Sequence, residues 1–549
     1  MNYFRKLTLL AIAAIASSYA EAQINLPFEI HGNFQLDTQY YLEDSTIGAP
    51  VVPEKVLSNG FGNLTFTRGN FGAGVRYESY LNPLLGFDTR YKGSGITYRY
   101  VTYSVNDLEI TLGNFYDQFG SGLIFRSYEE RGLGIDNAMD GIRLKYNPWK
   151  GIYLKGFIGE QRSYFDKGPG IVRGIDGEVA LTEAITSIAD WKTKIMLGGS
   201  AVSKYQNSNN PIYNIPENVL SFATRLAVNR GNYGFYAEHA YKYNDPSLVN
   251  STADNPSGIY KEGQALYLNG SYSKKGIGVS LSAKYIDNMN FRSDRDATGN
   301  DLNLSYLPAT TKQQTYRLAT LYPYATQPNG EVGFQGELFY NFKQGSTLGG
   351  KSGTYIALNY SRANGLDTTN LNNELGYEST FFGMGDRKYF EEVNVEFQKK
   401  LSKDFKLTIT GIYTLYDKGI IQGLGASYGI IYAYIGIAEI QYKINKTNSV
   451  RVELQHLSTK QDKQDWAMAL IEYSISPNWF FAAFDEYNYG NNDSGKRIHY
   501  PNFSLGFTKG ANRIALGYGK QREGLLCVGG VCRYVPASNG FSLAVTSSF

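Results

Sequence analysis

Apolar and polar residues alternate with a period of two in segment after segment of this 549-residue chain. That period sends successive side chains to opposite faces of a β-strand. From Phe405 to Leu415, Phe405, Leu407, Ile409 and Tyr413 share one face, and Lys406, Thr408 and Thr410 share the other. Ile277, Val279, Leu281, Ala283 and Tyr285 stand against Ser280, Ser282 and Lys284. Val450, Val452 and Leu454 alternate with Arg451, Glu453 and Gln455, and Ile440, Tyr442 and Ile444 with Glu439, Gln441 and Lys443. Val393, Val395 and Phe397 alternate with Asn394, Glu396 and Gln398. Each segment runs for about ten residues, the length of a tilted transmembrane strand.

A soluble antiparallel sheet with one wet face also alternates. Here the polar face carries many charges, as a water-filled lumen allows, and the apolar face ends in Tyr and Phe, as at a membrane interface. No linker divides the segments into domains. The fold expected is all-β: a single large transmembrane antiparallel barrel of about 20–26 strands, with about 24 at the centre. A mean hydropathy of −0.33 fits, because lipid-facing and lumen-facing residues average out. The chain is 15% aromatic, with 46 Tyr and 30 Phe, which suits girdled strands better than helices. A net charge of +3 without a basic stripe gives no ground for a nucleic-acid partner.

The chain ends support export. Arg5 and Lys6 precede the apolar run Leu7 to Ala16, and Ala20-Glu21-Ala22 is a small-x-small cleavage pattern. The run is too short for a membrane anchor, so residues 1–22 read as a signal peptide and 23–549 as the barrel. At the other end Phe541, Leu543, Val545 and Phe549 share one face of a final strand. Outer-membrane barrels resemble this closely, finishing on an aromatic residue that the barrel-assembly machinery reads. The expected location is therefore the cell outer membrane of a Gram-negative bacterium, in contact with its lipid.

Longer connections are expected at Asn82 to Gly95, Tyr205 to Glu217, Asp245 to Gly263, Met289 to Thr311, Ala363 to Arg387 and Tyr489 to Arg497. They are rich in Asn, Asp, Gly and Ser and read as loops outside the cell. Glu178 to Trp191 reads as a short helix in the lumen or at the periplasmic rim.

The densest charged stretch supplies the candidate site. Arg126, Glu129, Glu130, Arg131, Asp136, Asp140, Arg143, Lys145, Arg173 and Asp176 form an expected lumen cluster of both signs. Such a cluster narrows a pore or holds a polar solute, or else braces the wall; neutral pairs make poor ion filters and good braces. The glycines among them complete no phosphate-binding loop.

Cys527 and Cys532 flank Val-Gly-Gly-Val, and a Gly529-Gly530 turn would place them opposite each other in a hairpin. A structural disulfide follows in an oxidising compartment; a metal site lacks further ligands. His31, His239, His456 and His499 are far apart and show no metal spacing, so neither metal, cofactor nor catalysis is expected. Asp294-Arg-Asp296-Ala-Thr298-Gly299 resembles the start of a calcium loop, but Ser305 stands where an acidic ligand belongs, and an ordinary polar loop is expected.

Gly113-Asn-Phe-Tyr-Asp-Gln-Phe-Gly-Ser-Gly-Leu, Tyr128-Glu-Glu-Arg-Gly-Leu-Gly-Ile-Asp-Asn-Ala and Cys527-Val-Gly-Gly-Val-Cys-Arg resemble an uncharacterised family of Bacteroidetes-type outer-membrane barrels. The resemblance extends over most of the mature chain. It implies fold and location and transfers no catalytic or binding residue. The function expected is a porin-like channel for polar solutes; the alternative is a non-conducting subunit of an export or biogenesis complex with periplasmic or surface lipoprotein partners. The first requires an open lumen; a salt-bridge network closing the interior favours the second.

Overall fold

The computed structural model describes residues 28–208, 214–251 and 258–549; the expected signal peptide lies outside them. Within them the alternating segments form one 24-stranded antiparallel sheet. The last strand, Ser538–Ser548, pairs with Asn512–Gln521 on one side and with the first strand, Glu29–Leu42, on the other. Asn33 lies opposite Ser548 and Leu42 opposite Asn539, so the sheet closes on itself and leaves no free edge in the wall. No helix among the described residues is long and apolar enough to cross a membrane.

The outer face follows the alternation. Leu112, Ile142 and Ile158 are cross-strand neighbours and exposed, as are Leu338, Leu358 and Val395 further round. Ile409, Leu454, Ile471, Phe481, Phe503, Leu516 and Phe541 continue the belt. The opposite parity turns inward: Thr408, Thr410, Glu453 and Gln455 are buried. Phe541 packs on Tyr518 at 4.7 Å between ring centroids, and Phe549 exchanges two backbone hydrogen bonds of 3.0 Å with Gly32.

The two ends differ. At the end that carries both termini, most strands join through short turns. The longest exception includes one α-helical turn, Leu181–Ala184, and the 3-10 turn Thr186–Ile188. The helix expected from Glu178 is thus shorter than read, because the strand Asp166–Ala180 continues through Glu178. The connections expected to be long all leave the far end. One expected loop is different: residues 363–387 are mostly strand, where Thr354–Asn370 and Tyr377–Lys400 continue as a hairpin with shifted register. Its Phe381 and Phe382 cover Tyr285, which accounts for the burial of that outward-parity residue.

The occluded lumen as candidate functional site

Three far-end connections turn back into the barrel. Residues 116–138 carry Phe119, Leu123, Ile124 and Phe125, all fully or almost fully buried. Residues 288–329 carry Met289, Phe291, Leu304 and Leu318, each fully buried. The expectation of an outside loop at Met289 to Thr311 is therefore corrected: its few apolar side chains, Met289, Phe291, Leu304 and Leu307, leave water by packing on the inner wall. The inward segments meet the small and apolar inner residues of the wall. One cluster joins Phe119, Ile124 and Phe291 to Val172, Val202, Ala223 and Ala240. A second joins Leu318 and Tyr322 to Phe390, Tyr416, Ile435 and Trp466. Together they fill the far half of the lumen.

Ion pairs fix the first segment to the wall. Arg162 grips Glu78 with two N–H groups at 2.9 and 2.6 Å and donates to Asp136 at 2.5 Å. Arg76 lies 3.3 Å from Glu78 and 3.1 Å from Asp136, pairs with Glu129, and donates to the Tyr116 hydroxyl at 2.7 Å. Tyr116 in turn donates to Asp136 at 2.9 Å. Burial pushes the Asp136 carboxyl up, while Arg162 and Arg76 pull it down. Two arginines facing three carboxylates and a phenol make a buried, cross-braced cluster of charge-assisted hydrogen bonds. Arg162 belongs to the charged run read from the sequence, whereas Arg76 and Glu78 were not among the expected site residues; the spacing Arg76-x-Glu78 on the polar parity of one strand is the available sign.

The expected residues divide. Glu129 and Asp136 belong to this cluster, and Arg131 extends it to Glu129 at 2.6 Å and to Gln35 at 2.7 Å. Arg143 reaches Glu109 at 2.9 Å and Asp117 at 3.5 Å, with Lys145 3.3 Å from Glu109. Asp176 forms a separate buried group, 2.7 Å from Arg225 and 2.6 Å from the Ser200 hydroxyl. Arg126 has no carboxylate partner among the described residues; its guanidinium lies between Tyr128 and Tyr306, at 4.4 and 3.9 Å, and so ties the two inward segments together. Glu130 caps a turn by accepting from Gly132 N–H. Two assignments are corrected. Asp140 shares the parity of Ile142 and bonds outside the wall to Lys167 at 3.2 Å, near Arg99. Arg173 is exposed on the parity of Ile175 and also faces outward.

The second segment has its own anchors. Lys284 pairs with Glu331, whose other oxygen accepts from Tyr324. Arg317 and Arg522, the latter at 2.9 Å, both hold the buried Glu486. The Asp294 to Gly299 stretch lies within this segment: Gln206 donates to Asp294 at 2.7 Å, and Arg292 donates to the Gly299 carbonyl at 2.7 Å. Among the described residues no group of three His, Cys, Asp or Glu side chains could hold a metal ion. His499 pairs with Asp485 at 2.6 Å and stacks on Tyr487, and His456 meets the Tyr489 hydroxyl at 2.6 Å.

The third connection locks the other two. Gly524–Val528 and Val531–Val535 form a hairpin turned at Gly529 and Gly530, with φ of 58° and 85°, and closed by the Cys527–Cys532 disulfide. Gln313 donates to the Cys527 carbonyl at 2.9 Å and Tyr306 to the Gly529 carbonyl at 3.1 Å. Arg533 donates to the Gly132 carbonyl at 2.9 Å. The hairpin thus bonds to both inward segments. Cys527→Ser with Cys532→Ser should free about 2 kcal/mol of loop entropy in the open hairpin. Tryptic cleavage after Arg533 in the folded protein is then expected to accelerate roughly 30-fold, while the rest of the barrel stays resistant.

No curated protein matches the chain. Among solved structures, the P pilus usher (PapC) translocation pore is similar at a TM-score of 0.36 and 9% identity, over 95% of this chain and 99% of that one. The siderophore receptor PirA from Pseudomonas aeruginosa is similar at 0.39 and 10% identity, over 95% and 80%. OccAB4 from Acinetobacter baumannii is similar at 0.34 and 8% identity, over 95% and 98%. A protein-family model matches residues 4–549, nearly the whole sequence, and the chain belongs to that family, DUF6029, a family of unknown function.

Proposed function

We propose that the protein spans the outer membrane as a barrel shut at its cell-surface end, and that it is a non-conducting platform for partners in the periplasm. The observation that carries this reading is the filled far half of the lumen, where three connections pack against the wall and against one another. The continuous apolar belt supports insertion in lipid. Long connections at one end and short turns with both termini at the other support the orientation, with the termini in the periplasm. Phe541, Leu543, Val545 and Phe549 would then present the outward face read by the barrel-assembly machinery. No catalytic step belongs to the reading.

Purified protein in a planar bilayer is expected to be silent under moderate voltage. Stable conductance steps from the unmodified chain would sink the platform. A gated channel for polar solutes is the second reading, favoured by one observation: inner residues toward the termini, such as Gln441 and Lys443, remain exposed, so the lumen is open from that end up to the filled half. It predicts steps that appear only once the inward segments are displaced by a ligand or partner.

A further inference from the structure

The end of the barrel that carries the termini holds a group of cations that the ion-pair networks leave unused. Lys400, Lys406 and Lys443 lie at the termini-side ends of three consecutive wall strands, Tyr377–Lys400, Phe405–Asp417 and Ile430–Lys443. Lys400 is opposite Lys406, and Lys406 is opposite Gln441, two residues before Lys443. All three share the inward parity of Thr408, Glu439 and Asn394 rather than that of Ile409, Tyr442 and Val395. Lys403 and Lys446 stand on the adjoining turns. Among the described residues none of these five lysines makes an ion pair. The contrast along the same register row is direct, since Arg451, opposite Gln441, is held by Glu439 at 3.0 Å, by Glu472 at 2.8 Å and by Glu453.

The lysines border open space. Lys400, Lys403, Lys406 and Lys443 line a cleft of about 390 Å³, and a neighbouring one of about 510 Å³ runs past Lys443 and Lys446. Two carboxylates reach the first cleft, Asp404 and Glu472, and Glu472 is already paired with Arg451. Neighbouring strands are about 4.8 Å apart and alternate residues of an extended peptide about 7 Å. Charges so spaced suit a run of carboxylates along one strand-like segment. Flexible ammonium groups also suit several separate carboxylates better than a single planar bidentate partner. The inward parity of Lys400, Lys406 and Lys443 turns these three away from the outer wall, where lipid headgroups lie. The filled far half gives a small anion entering here no onward route.

We propose that this mouth docks an extended segment rich in Asp and Glu from a periplasmic protein, with Lys400, Lys403, Lys406, Lys443 and Lys446 as its counter-charges. The proposal rests on the platform reading and names the chemistry of its partner. A fluorescein-labelled deca-glutamate peptide, titrated into the full-length protein in detergent at low salt, is expected to bind saturably by anisotropy. Lys400→Gln/Lys406→Gln/Lys443→Gln should weaken it at least tenfold, as should about 0.5 M salt, where screening acts within a few ångströms. Lys150→Gln/Lys192→Gln/Lys275→Gln removes the same charge elsewhere on that end and should change binding less than twofold.

Absence of saturable binding, or equal loss in both triple variants, would overturn the proposal. So would displacement by millimolar inorganic phosphate, which would mark a simple anion site. Migration of unheated samples on gels checks folding, and Lys403→Gln, on a turn, replaces the triple variant if that fails to fold. Conductance steps from the unmodified protein would sink the platform reading whatever the peptide does, whereas a silent bilayer without peptide binding would sink the docking proposal alone.

Discussion

Replacing Arg162 with methionine is expected, on the platform reading, to turn a silent barrel into a leaking one. Arg162 supplies two hydrogen bonds to Glu78 and one to Asp136, and all three side chains are buried. Without it, Glu78, Asp136 and Glu129 share Arg76 as their remaining close cation in the cluster, since Arg131 reaches only Glu129. Removing one partner of a buried charged group costs about 3–5 kcal/mol, because the others stay desolvated and unpaired. The wall cannot relieve that cost, as its strands are bonded on both sides. Residues 116–138 can, for their strand pairings are only two residues long, such as Glu129–Glu130 with Ile135–Asp136. Relief by swinging this segment out would raise the open population by about two to three and a half orders of magnitude. The measurements are single-channel recording and tryptic cleavage after Arg126 and Arg131. Adding Glu78→Gln to Arg162→Met removes one stranded charge and should restore most of the silence. A silent, protease-resistant Arg162→Met barrel would mean that Phe119, Leu123, Ile124 and Phe125 hold the segment by packing alone.

The wall was legible in the sequence because its signal is local. Alternation at Ile277–Tyr285 or Phe405–Tyr413 depends only on which face meets lipid, and the strands formed there have the expected parity. The cysteine hairpin was legible for the same reason, since Gly529-Gly530 fixes its own register. What could not be read locally is contact made by closure. Arg76 and Arg162 lie on different wall strands, with Leu108–Phe115 and Met139–Trp149 among those between them, and only barrel curvature brings both to Asp136. Residues 288–329 have the polar composition of an outer loop, and their apolar minority shows its meaning only against the inner wall. The hairpin at 363–387 was misread because Asn, Asp and Gly there suggested turns, although Thr368, Thr369 and Tyr377 are strand formers. Asp140 and Arg173 are a different failure. Their outward parity was available from Ile142, Leu144 and Ile175, but a charged residue in a dense charged stretch was grouped by sequence proximity instead of by face.

Gly540→Ala is expected to abolish accumulation of the folded barrel. Gly540 sits in the closing strand, opposite Tyr41 of the first strand and Gly519 of the strand before it. Its φ of 153° lies where side chains are rarely found, and a Cβ there would overlap the carbonyl oxygen of Tyr40. The strained backbone alone costs about 1–3 kcal/mol. The overlap adds to it, because the obstacle is main chain and no rotamer can move it away. Relief requires the closing and first strands to separate at Tyr41 and Leu42, exposing unpaired N–H and C=O groups at a position every other wall strand has covered. Gly436→Ala is the control: nothing lies within 4 Å of its added Cβ, and it sits in the interior of a wall strand. The measurement is the fraction of each variant that migrates as the compact, unheated form. That fraction should fall at least tenfold for Gly540→Ala and stay at the unmodified level for Gly436→Ala. Equal folding of the two would mean that the seam can slip in register without loss. That outcome would move the constraint on closure from Gly540 to the pairs nearer the terminus, where Asn33 meets Ser548 and Phe549 is bonded to Gly32.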